Sequence, residues 1–368
     1  MRNNKGSALI LVILIMMVLT ILGTSFLFIS VSENKFVQMQ ERKMKAYYVA
    51  RSGADALAQY IILNPLRTEE LVNMTDVASS DFATGDIEDI GSFEIDVVDQ
   101  SNNNTIIKLA SEGNVMGTVQ AANVYLYMMT SSLVFDKAIY TNSDLDISNM
   151  KVTGDISSKG KITYKAGDSN NSYHGIAYPF TTRILPEPVF PNPTLVSNVP
   201  IKIEDGELSI NDSSTYDEIT VTKNGTMSIN AYNKVVKVVI DKLTIDESLS
   251  INTPDNGRVE LYINELITIT NKGVINNSGY SSNLFIYLKK DSLLDMQAGK
   301  VLNGYIYGPY ATVYVQSEWS VINGAVISNI VLKNTNNGPN GIVNYVPIPS
   351  DIDVSSTIKA YQIVHWDW

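Results

Sequence analysis

The chain has no cysteine and only two histidines among its 368 residues. The lack of cysteine excludes disulfides, thiolate nucleophiles and cysteine-based zinc sites. His174 and His365 stand at no recognisable catalytic spacing from a serine, a carboxylate or each other, so a hydrolase triad is not expected. The sequence also lacks a Gly-rich phosphate loop, a Walker motif and a dinucleotide fingerprint. It therefore predicts no catalytic residue, no cofactor and a protein that is not an enzyme.

Carboxylates are the remaining candidates for a metal site. Three groups lie close together in sequence: Asp144 with Asp146, Asp86 with Glu88 and Asp89, and Asp351 with Asp353. None of them completes a calcium-binding loop with enough oxygen ligands. We therefore interpret them as solvated turn residues and expect no metal.

A dense run of lysine and arginine is also missing, and the formal net charge is -11 at pH 7. A polyanion would be repelled, so no nucleic-acid partner is expected. Hydrophobic residues make up 45% of the chain and charged residues 18%, which is typical of an ordered protein. The length predicts two or three structural units, and the many Asn, Ser, Thr, Val, Ile and Tyr residues favour strands joined by polar turns.

The N-terminus has the pattern of a membrane span. Arg2 and Lys5 precede residues 6–32, which contain no charge, and Ser7 to Val31 is rich in Leu, Ile, Val, Met and Phe. About 20 apolar helical residues cross the hydrocarbon. The basic residues predict a single pass through a bacterial cytoplasmic membrane, with the N-terminus inside and the rest exported. A cleaved secretory signal has a shorter apolar stretch, whereas a plain single-pass anchor remains an alternative.

Two motifs carry a family resemblance. The segment from Gly6 to Leu14, GSALILVIL, and the segment from Ala46 to Ala54, AYYVARSGA, together resemble the N-terminal region of PilX-type minor pilins over about the first 65 residues. The resemblance implies a basic leader of residues 1–6 that a prepilin peptidase removes after Gly6. It also implies N-methylation of Ser7 and packing of the apolar helix among other pilins or pseudopilins.

Leu11 departs from the pattern of the major pilins, which usually have a glutamate at this position. That carboxylate can pair with the terminal amine of a neighbouring subunit. A carboxylate in hydrocarbon is costly unless it is paired, so Leu11 favours a subunit that does not need the pairing. The expected role is therefore minor, priming or tip-proximal, as in several minor pilins and the tip pseudopilins of type II secretion.

The helix is predicted to continue out of the membrane over residues 7–64. Residues 33–45 are polar and contain neither glycine nor proline, and Asn64-Pro65 is the expected stop. Beyond them, five residues at spacings of three and four form one apolar face that should pack on a globular head. These residues are Tyr47, Ala50, Ala54, Leu57 and Ile61.

Residues 65–132 are predicted to form a small pilin-type head. Alternating patterns at 92–98, 105–109 and 115–129 indicate strands, with turns at 102–104 and 112–114. An antiparallel meander packed against the C-terminal half of the helix is the expected arrangement.

Residues 133–348 are predicted to form a large all-β module. Short alternating apolar segments recur between polar turns, as in a solenoid or a sandwich. Asn303-Gly304 returns twenty residues later as Asn323-Gly324, a separation that suits one coil of a β-helix. The proline-rich stretch 178–200 is expected to be an extended strap or linker.

Residues 349–368 are predicted to form a C-terminal tail. Its last residues resemble the terminus of an uncharacterised β-rich domain that often follows PilX-type segments. Trp366 and Trp368 are either an exposed pair for stacking a ligand or part of a strand docked on the core, and docking is favoured.

The fold expected from these patterns is α+β. It comprises a long transmembrane and amphipathic helix, a small antiparallel head and a large β-helix or solenoid. The predicted function is a minor pilin or pseudopilin-like subunit of a type IV pilus or type II secretion-like filament, located in the membrane and then outside the cell. The β module would serve assembly priming, tip location or adhesion to a surface or carbohydrate ligand. The alternatives are a membrane-anchored β-helix enzyme that cleaves polysaccharides and a cell-envelope scaffold that forms no filament.

Overall fold

The computed structural model describes residues 5–65, 71, 84–87, 90–99, 101, 106–129, 131–164, 173–252, 257–270, 273–276, 280–297, 301–316, 320–333, 341–354 and 357–367. The chain divides into two compact units. The head unit comprises Met1–Ile61, Leu66–Tyr127 and Gln362–Trp368, and the solenoid unit comprises Ile62–Pro65 and Met128–Tyr361. The predicted α+β fold class is confirmed, with a long helix, a small antiparallel sheet and a β-solenoid of about eight turns.

One helix, α1, runs over Lys5–Leu63, which is 59 residues or about 89 Å at 1.5 Å per residue. It ends two residues before Pro65, because the residue that precedes a proline is disfavoured in helical conformation. The described side chains up to Lys45 are exposed, and burial begins at Ala46. The helix therefore has a free N-terminal part and a packed C-terminal part.

The head sheet starts with β1 (Thr84–Ile87), β2 (Gly91–Asp99), β3 (Ile106–Val115) and β4 (Thr118–Met128). Successive strands pair antiparallel, which is the predicted meander. The predicted turn at residues 112–114 is wrong, because these residues lie inside β3. The chain turns instead at Met116 and Gly117, both with positive φ, as a two-residue hairpin turn requires. The other predicted turn, at 102–104, lies outside the described residues.

The solenoid unit contains a short helix α2 (Ser131–Val134), a 3-10 turn at Ser281–Asn283 and a series of mostly parallel strands. In chain order, the strands are β5 (Ile139–Thr141), β6 (Leu145–Asp146), β7 (Lys151–Thr153), β8 (Ile156–Ser158), β9 (Ile162–Thr163), β10 (Tyr173–His174), β11 (Ala177–Tyr178), β12 (Leu195–Ser197), β13 (Ile201–Glu204), β14 (Glu207–Ile210), β15 (Ser214–Thr222), β16 (Thr226–Asn230), β17 (Val235–Ile245), β18 (Ser248–Asn252), β19 (Arg258–Ile269), β20 (Val274–Ile275), β21 (Leu284–Leu288), β22 (Leu293–Met296), β23 (Val301–Val315), β24 (Val321–Lys333) and β25 (Ile342–Tyr345).

The coils stack in parallel register, so that equivalent residues form columns. The predicted Asn-Gly repeat forms such columns: Asn303 pairs with Asn323, and Gly304 with Gly324, across β23 and β24. Inward columns of Ile, Leu and Val, such as Leu261, Ile286 and Ile306, fill the solenoid core. Each coil thus buries its apolar face only by stacking on its neighbours.

The coils do not stack in chain order. Strands β5, β7 and β8, which come first in the unit, pair with β24, β25 and each other, beyond the last coils of the chain. The chain must then return to the far end, where β12 begins. From β11 to β12 there are nine steps between paired strands, and at about 4.8 Å each they span about 43 Å. Residues 179–194 in polyproline conformation reach about 50 Å, which is enough to cross this distance. The proline-rich connector is therefore an extended strap.

The strap covers a second core that is largely aromatic. Its rings point outward from the solenoid, and the largest members are fully buried: Phe135, Tyr140, Tyr262, Phe285, Tyr287, Tyr305 and Tyr307. The Tyr307 hydroxyl donates to the Pro186 carbonyl at 2.7 Å, and the Tyr140 hydroxyl donates to the Arg183 carbonyl at 2.6 Å. These bonds satisfy the polar tips of buried rings, so the strap is fixed by packing and by hydrogen bonds.

A ladder of asparagine side chains supports one corner of the coils. The Asn344 amide donates to the Asn323 side-chain oxygen at 2.9 Å, and the Asn323 amide donates to Asn303 at 2.7 Å. Asn303 and Asn276 each donate to the other's backbone carbonyl at 2.8 Å. The ladder pairs polar groups that stacking buries, and it fixes the register of successive coils.

The last strand, β26 (Tyr361–Asp367), joins the head sheet beside β4. The segment predicted as a C-terminal tail thus contributes an edge strand to the small sheet.

Substituting Gly324 tests the requirement for a glycine in the ladder coil. Gly324 has φ +152°, and an added Cβ would meet the Gly304 carbonyl oxygen. We expect Gly324→Ala to lower the free energy of unfolding by about 2–3 kcal/mol, measured by urea denaturation with circular dichroism. Gly206→Ala is the control, since its Cβ would lie 3.7 Å from the nearest atom and should change stability by about 0.5 kcal/mol or less. Equal effects would contradict the prediction.

The buried tyrosines predict a loss of stability in alkali. Burial raises the pKa of Tyr140 from 10.0 to about 12 and raises the pKa of Tyr262, Tyr287, Tyr305 and Tyr307 further. The pKa of these tyrosines is higher in the folded state than in the unfolded state. Their contribution to the free energy of unfolding is therefore present in full below pH 10 and is lost as the pH rises through 12. Tyrosinate absorbance and the β-sheet signal should change together over this range. Ionisation of these rings in an intact sheet would contradict the assignment.

Candidate functional site

The candidate site is the apolar N-terminal part of α1. The large side chains from Ile10 to Val31 are exposed, and Leu11, for example, is 59% exposed. By length and composition, this helix qualifies as one that can cross a membrane. Within the described part of the chain, no residue covers the segment. A surface of this size and apolarity requires a lipid phase or a partner.

Three hydroxyl groups in the segment donate hydrogen bonds within the helix. Thr20 donates to the Met16 carbonyl at 2.7 Å, Thr24 to the Thr20 carbonyl at 3.0 Å and Ser25 to the Ile21 carbonyl at 2.8 Å. Such bonds to the preceding turn remove the need for water. These three side chains are therefore suited to an apolar environment.

The predicted processing site lies at the start of this helix. Gly6 and Ser7 follow Lys5, the first residue of α1, and Met1–Asn4 lie outside the described residues. Cleavage after Gly6 and methylation of Ser7 remain predictions. The position that lacks the usual glutamate, Leu11, lies in the exposed apolar stretch.

The packed part of α1 holds the head sheet. Of the five residues predicted to face the head, Ala50, Ala54, Leu57 and Ile61 are buried and Tyr47 is half-buried. The predicted face did not include Ala46, Val49 and Ala58, which are also buried. These positions follow the same helical periodicity, and their small side chains let the helix approach the sheet closely.

Two glycines mark the closest contacts between α1 and the sheet. A Cβ on Gly113 would meet the Ala46 carbonyl oxygen, and a Cβ on Gly53 would lie 2.5 Å from the Phe93 ring. Gly113 is therefore a strand residue needed for helix packing, which explains why its turn-like sequence does not form a turn. Trp366 of β26 lies on the same unit, with the Arg51 guanidinium 4.9 Å from its ring centre. This contact agrees with the docked-strand interpretation of Trp366.

The other residues considered for chemistry occupy ordinary structural positions. Asp144 accepts a hydrogen bond from the Lys161 backbone N–H at 2.8 Å, and Asp146 accepts one from the Ser148 backbone N–H at 2.9 Å. His174 is exposed in β10. Among the described residues, no group of three His, Cys, Asp or Glu side chains is placed to hold a metal ion. Glu88, Asp89 and the His365 and Trp368 side chains lie outside the described residues.

A buried ion pair escaped the sequence reading. Glu260 is fully buried, pairs with Arg258 at 2.9 Å and accepts a hydrogen bond from the Tyr262 hydroxyl at 2.7 Å. The same hydroxyl lies 2.9 Å from the Thr357 hydroxyl. The Lys237 ammonium lies 3.6 Å from the same carboxylate, and through the Tyr262 and Thr357 hydroxyls the cluster ties the C-terminal part of the unit to β19. No local sequence pattern signals it, because Thr357 is distant in the chain.

Comparison with known proteins gives a limited result. The family described as "Domain of unknown function (DUF7305)" matches residues 194–347, which lie in the solenoid unit. No curated protein matches the sequence.

Three solved structures are similar at low scores. The competence-associated pilin ComZ from Thermus thermophilus has 10% identity and a TM-score of 0.33, over 89% of this chain and 97% of that chain. The glycosylated ice-binding protein LeIBP from Arctic yeast has 14% identity and a TM-score of 0.30, over 59% and 93%. The ice-binding protein from the Antarctic ascomycete Antarctomyces psychrotrophicus has 10% identity and a TM-score of 0.28, over 58% and 95%. Scores this low assign no function to this chain.

The contact between Gly113 and α1 can be tested directly. We expect Gly113→Val to destabilise the head unit by about 2–3 kcal/mol, because the side chain collides with the helix backbone. Hydrogen exchange of the β2–β4 amides should accelerate by about a hundredfold. Val119→Ala, at a half-exposed site in β4, is the matched control and should leave exchange unchanged. Full protection in the Gly113 variant would show that the helix is not held at this point.

Proposed function

We propose that this chain is a minor pilin or pseudopilin-like subunit of a type IV pilus or type II secretion-like filament. In this proposal, a prepilin peptidase cleaves after Gly6, Ser7 becomes the methylated N-terminus, and the helix stays on the mature protein. The subunit is first anchored in the bacterial cytoplasmic membrane and then enters an extracellular filament. The solenoid is exported with it and serves priming, tip location or adhesion.

The observation that supports this proposal is the continuity of α1. One unbroken helix joins an uncovered apolar segment, Ile10 to Val31, to a buried face that begins at Ala46 and packs on the head sheet. A removable signal has no reason to be continuous with the core of the mature fold. A retained helix that inserts among other apolar helices requires this continuity.

The solenoid is proposed to be structural rather than catalytic. Of the carboxylate pairs that a polysaccharide-cleaving enzyme would use, Asp144 accepts a hydrogen bond from the Lys161 backbone and Asp146 accepts one from the Ser148 backbone in a turn. The buried carboxylate, Glu260, is closed off from substrate by its own partners. Degradation of an anionic polysaccharide by the purified full chain, abolished by Asp144→Asn with Asp146→Asn, would overturn this part.

The processing step gives the decisive experiment. Protein recovered from sheared filaments should begin at Ser7 and carry an N-terminal methyl group, as read by mass spectrometry. Gly6→Val should block cleavage and leave the chain in the membrane fraction, whereas Asn4→Ala in the same leader should be processed normally. A mature form that begins downstream of Val31 would mean a secreted protein, and intact Met1 in a non-filament fraction would favour a plain anchor.

Leu11 gives a second test within the same proposal. A carboxylate in hydrocarbon costs about 3 kcal/mol unless a neighbouring terminal amine pairs with it. We therefore expect Leu11→Glu to increase labelling of this subunit along the filament shaft in immunogold images, where such amines are available. Leu11→Ile should keep the wild-type distribution. An unchanged distribution of the Glu variant would show that this position does not set the location of the subunit.

A further inference from the structure

The head sheet takes strands from both sides of the solenoid unit in the chain. Its strand order is β1-β2-β3-β4-β26, so β26 lies beside β4 although the whole solenoid unit separates them in sequence. Trp366 of β26 also reaches the helix, since the Arg51 guanidinium lies 4.9 Å from the centre of its ring. The fifth strand of the head therefore contacts both the sheet and α1.

The residues that precede β26 are held by the solenoid unit. The Val189 N–H, in the strap, donates to the Thr357 carbonyl at 2.9 Å, and the Thr357 hydroxyl lies 2.9 Å from the Tyr262 hydroxyl of β19. Thr357, Ile358 and Ala360 are buried. The position of this segment is therefore set only when β19 and the strap have folded.

The two chain segments that lead out of and back into the head lie side by side within the solenoid unit. The Met129 N–H donates to the Ala360 carbonyl at 2.7 Å. Met129 directly follows β4, and Ala360 directly precedes β26. A folded solenoid thus fixes the start of β26 next to the end of β4. Tethering of this kind raises the effective concentration of a strand at its partner, whereas closure of a long unfolded loop costs entropy.

We propose that β26 is a latch through which folding of the solenoid unit completes the head. Without the latch, one edge of β4 has unpaired backbone N–H and C=O groups, and Arg51 loses its aromatic partner. With the latch, the head sheet has all five strands. The chain therefore has a complete head only after its solenoid has folded, which goes beyond the subunit role proposed above.

The first test removes the latch from the chain in detergent micelles and follows hydrogen exchange by mass spectrometry. In a chain that ends at Tyr361, the amides of β4 should exchange about a hundredfold faster than in the full chain, whereas the amides of β17 and β19 should exchange as before. A synthetic peptide with the sequence of residues 362–368, added in excess, should restore the protection of β4.

Three outcomes of this test would overturn the proposal. Unchanged exchange of β4 would show that the head is complete without β26. Equally faster exchange in both units would show a general loss of stability instead of a latch. Failure of the peptide to restore protection would show that these seven residues do not act as a separable strand.

The second test keeps the chain at full length. Trp366→Ala removes the contact with Arg51 and should speed the exchange of β4 by about tenfold. Val364→Ala, at a 51% exposed position of the same strand, is the matched control and should exchange like the wild type. Equal exchange in the two variants would show that Trp366 does not hold the latch in place and would contradict the proposal.

The third test asks whether the solenoid controls the head. Thr357→Val removes the hydroxyl that meets Tyr262 but changes no residue of the head. We expect the amides of β4 to exchange about fivefold faster, because β26 is held less firmly beside them. Thr244→Val, in β17 of the same unit, is the control and should leave β4 unchanged. Wild-type exchange of β4 in the Thr357 variant would mean that the head closes independently of the solenoid, and the proposal would be wrong.

Discussion

The structure depends on an apolar helical surface that the described part of the chain leaves uncovered. Burial of apolar area stabilises by roughly 25 cal/mol per Å², so the side chains from Ile10 to Val31 represent a large unmet driving force. The helix satisfies its own backbone, and Thr20, Thr24 and Ser25 bond to carbonyls of the preceding turn, which lowers the polar cost of an apolar surrounding. Because α1 continues unbroken to the buried Ala46, whatever holds the apolar part also holds the head.

The solenoid meets a different constraint, which is that no coil is stable alone. Its first strands complete the stack beyond β24 and β25 instead of beginning it, so residues far apart in sequence share one sheet. That order obliges the chain to cross the unit once, and the proline-rich strap does so in an extended form. The strap in turn covers outward aromatic rings that would otherwise be exposed, as the bond from Tyr307 to Pro186 shows. The strand order therefore requires one crossing, and the strap that makes this crossing also covers the second core.

Local sequence signals predicted the parts that depend on local physics. The long uncharged stretch predicted the helix, and period-two alternation predicted the meander. The repeat of Asn303-Gly304 predicted the register between two coils that the structure contains. Gly113 was misread because its role is set by the Ala46 backbone above it, which no turn rule contains. The pairing of β5 with β24 and the contact between Tyr262 and Thr357 join distant residues. A single sequence carries no periodic signal for either of them.

The apolar surface of α1 and the apolar residues exposed on the solenoid unit differ in how much cover they need. The segment of α1 is long, continuous and free of charge, so water is a poor solvent for it at every concentration, and it needs permanent cover. The terminal coils expose a few apolar side chains, such as Leu195 and Tyr178, among charged neighbours such as Lys161 and Glu204, so charged groups interrupt the apolar area there. The large unmet driving force of this chain is therefore the apolar part of α1, and the few apolar residues exposed on the solenoid unit add little to it.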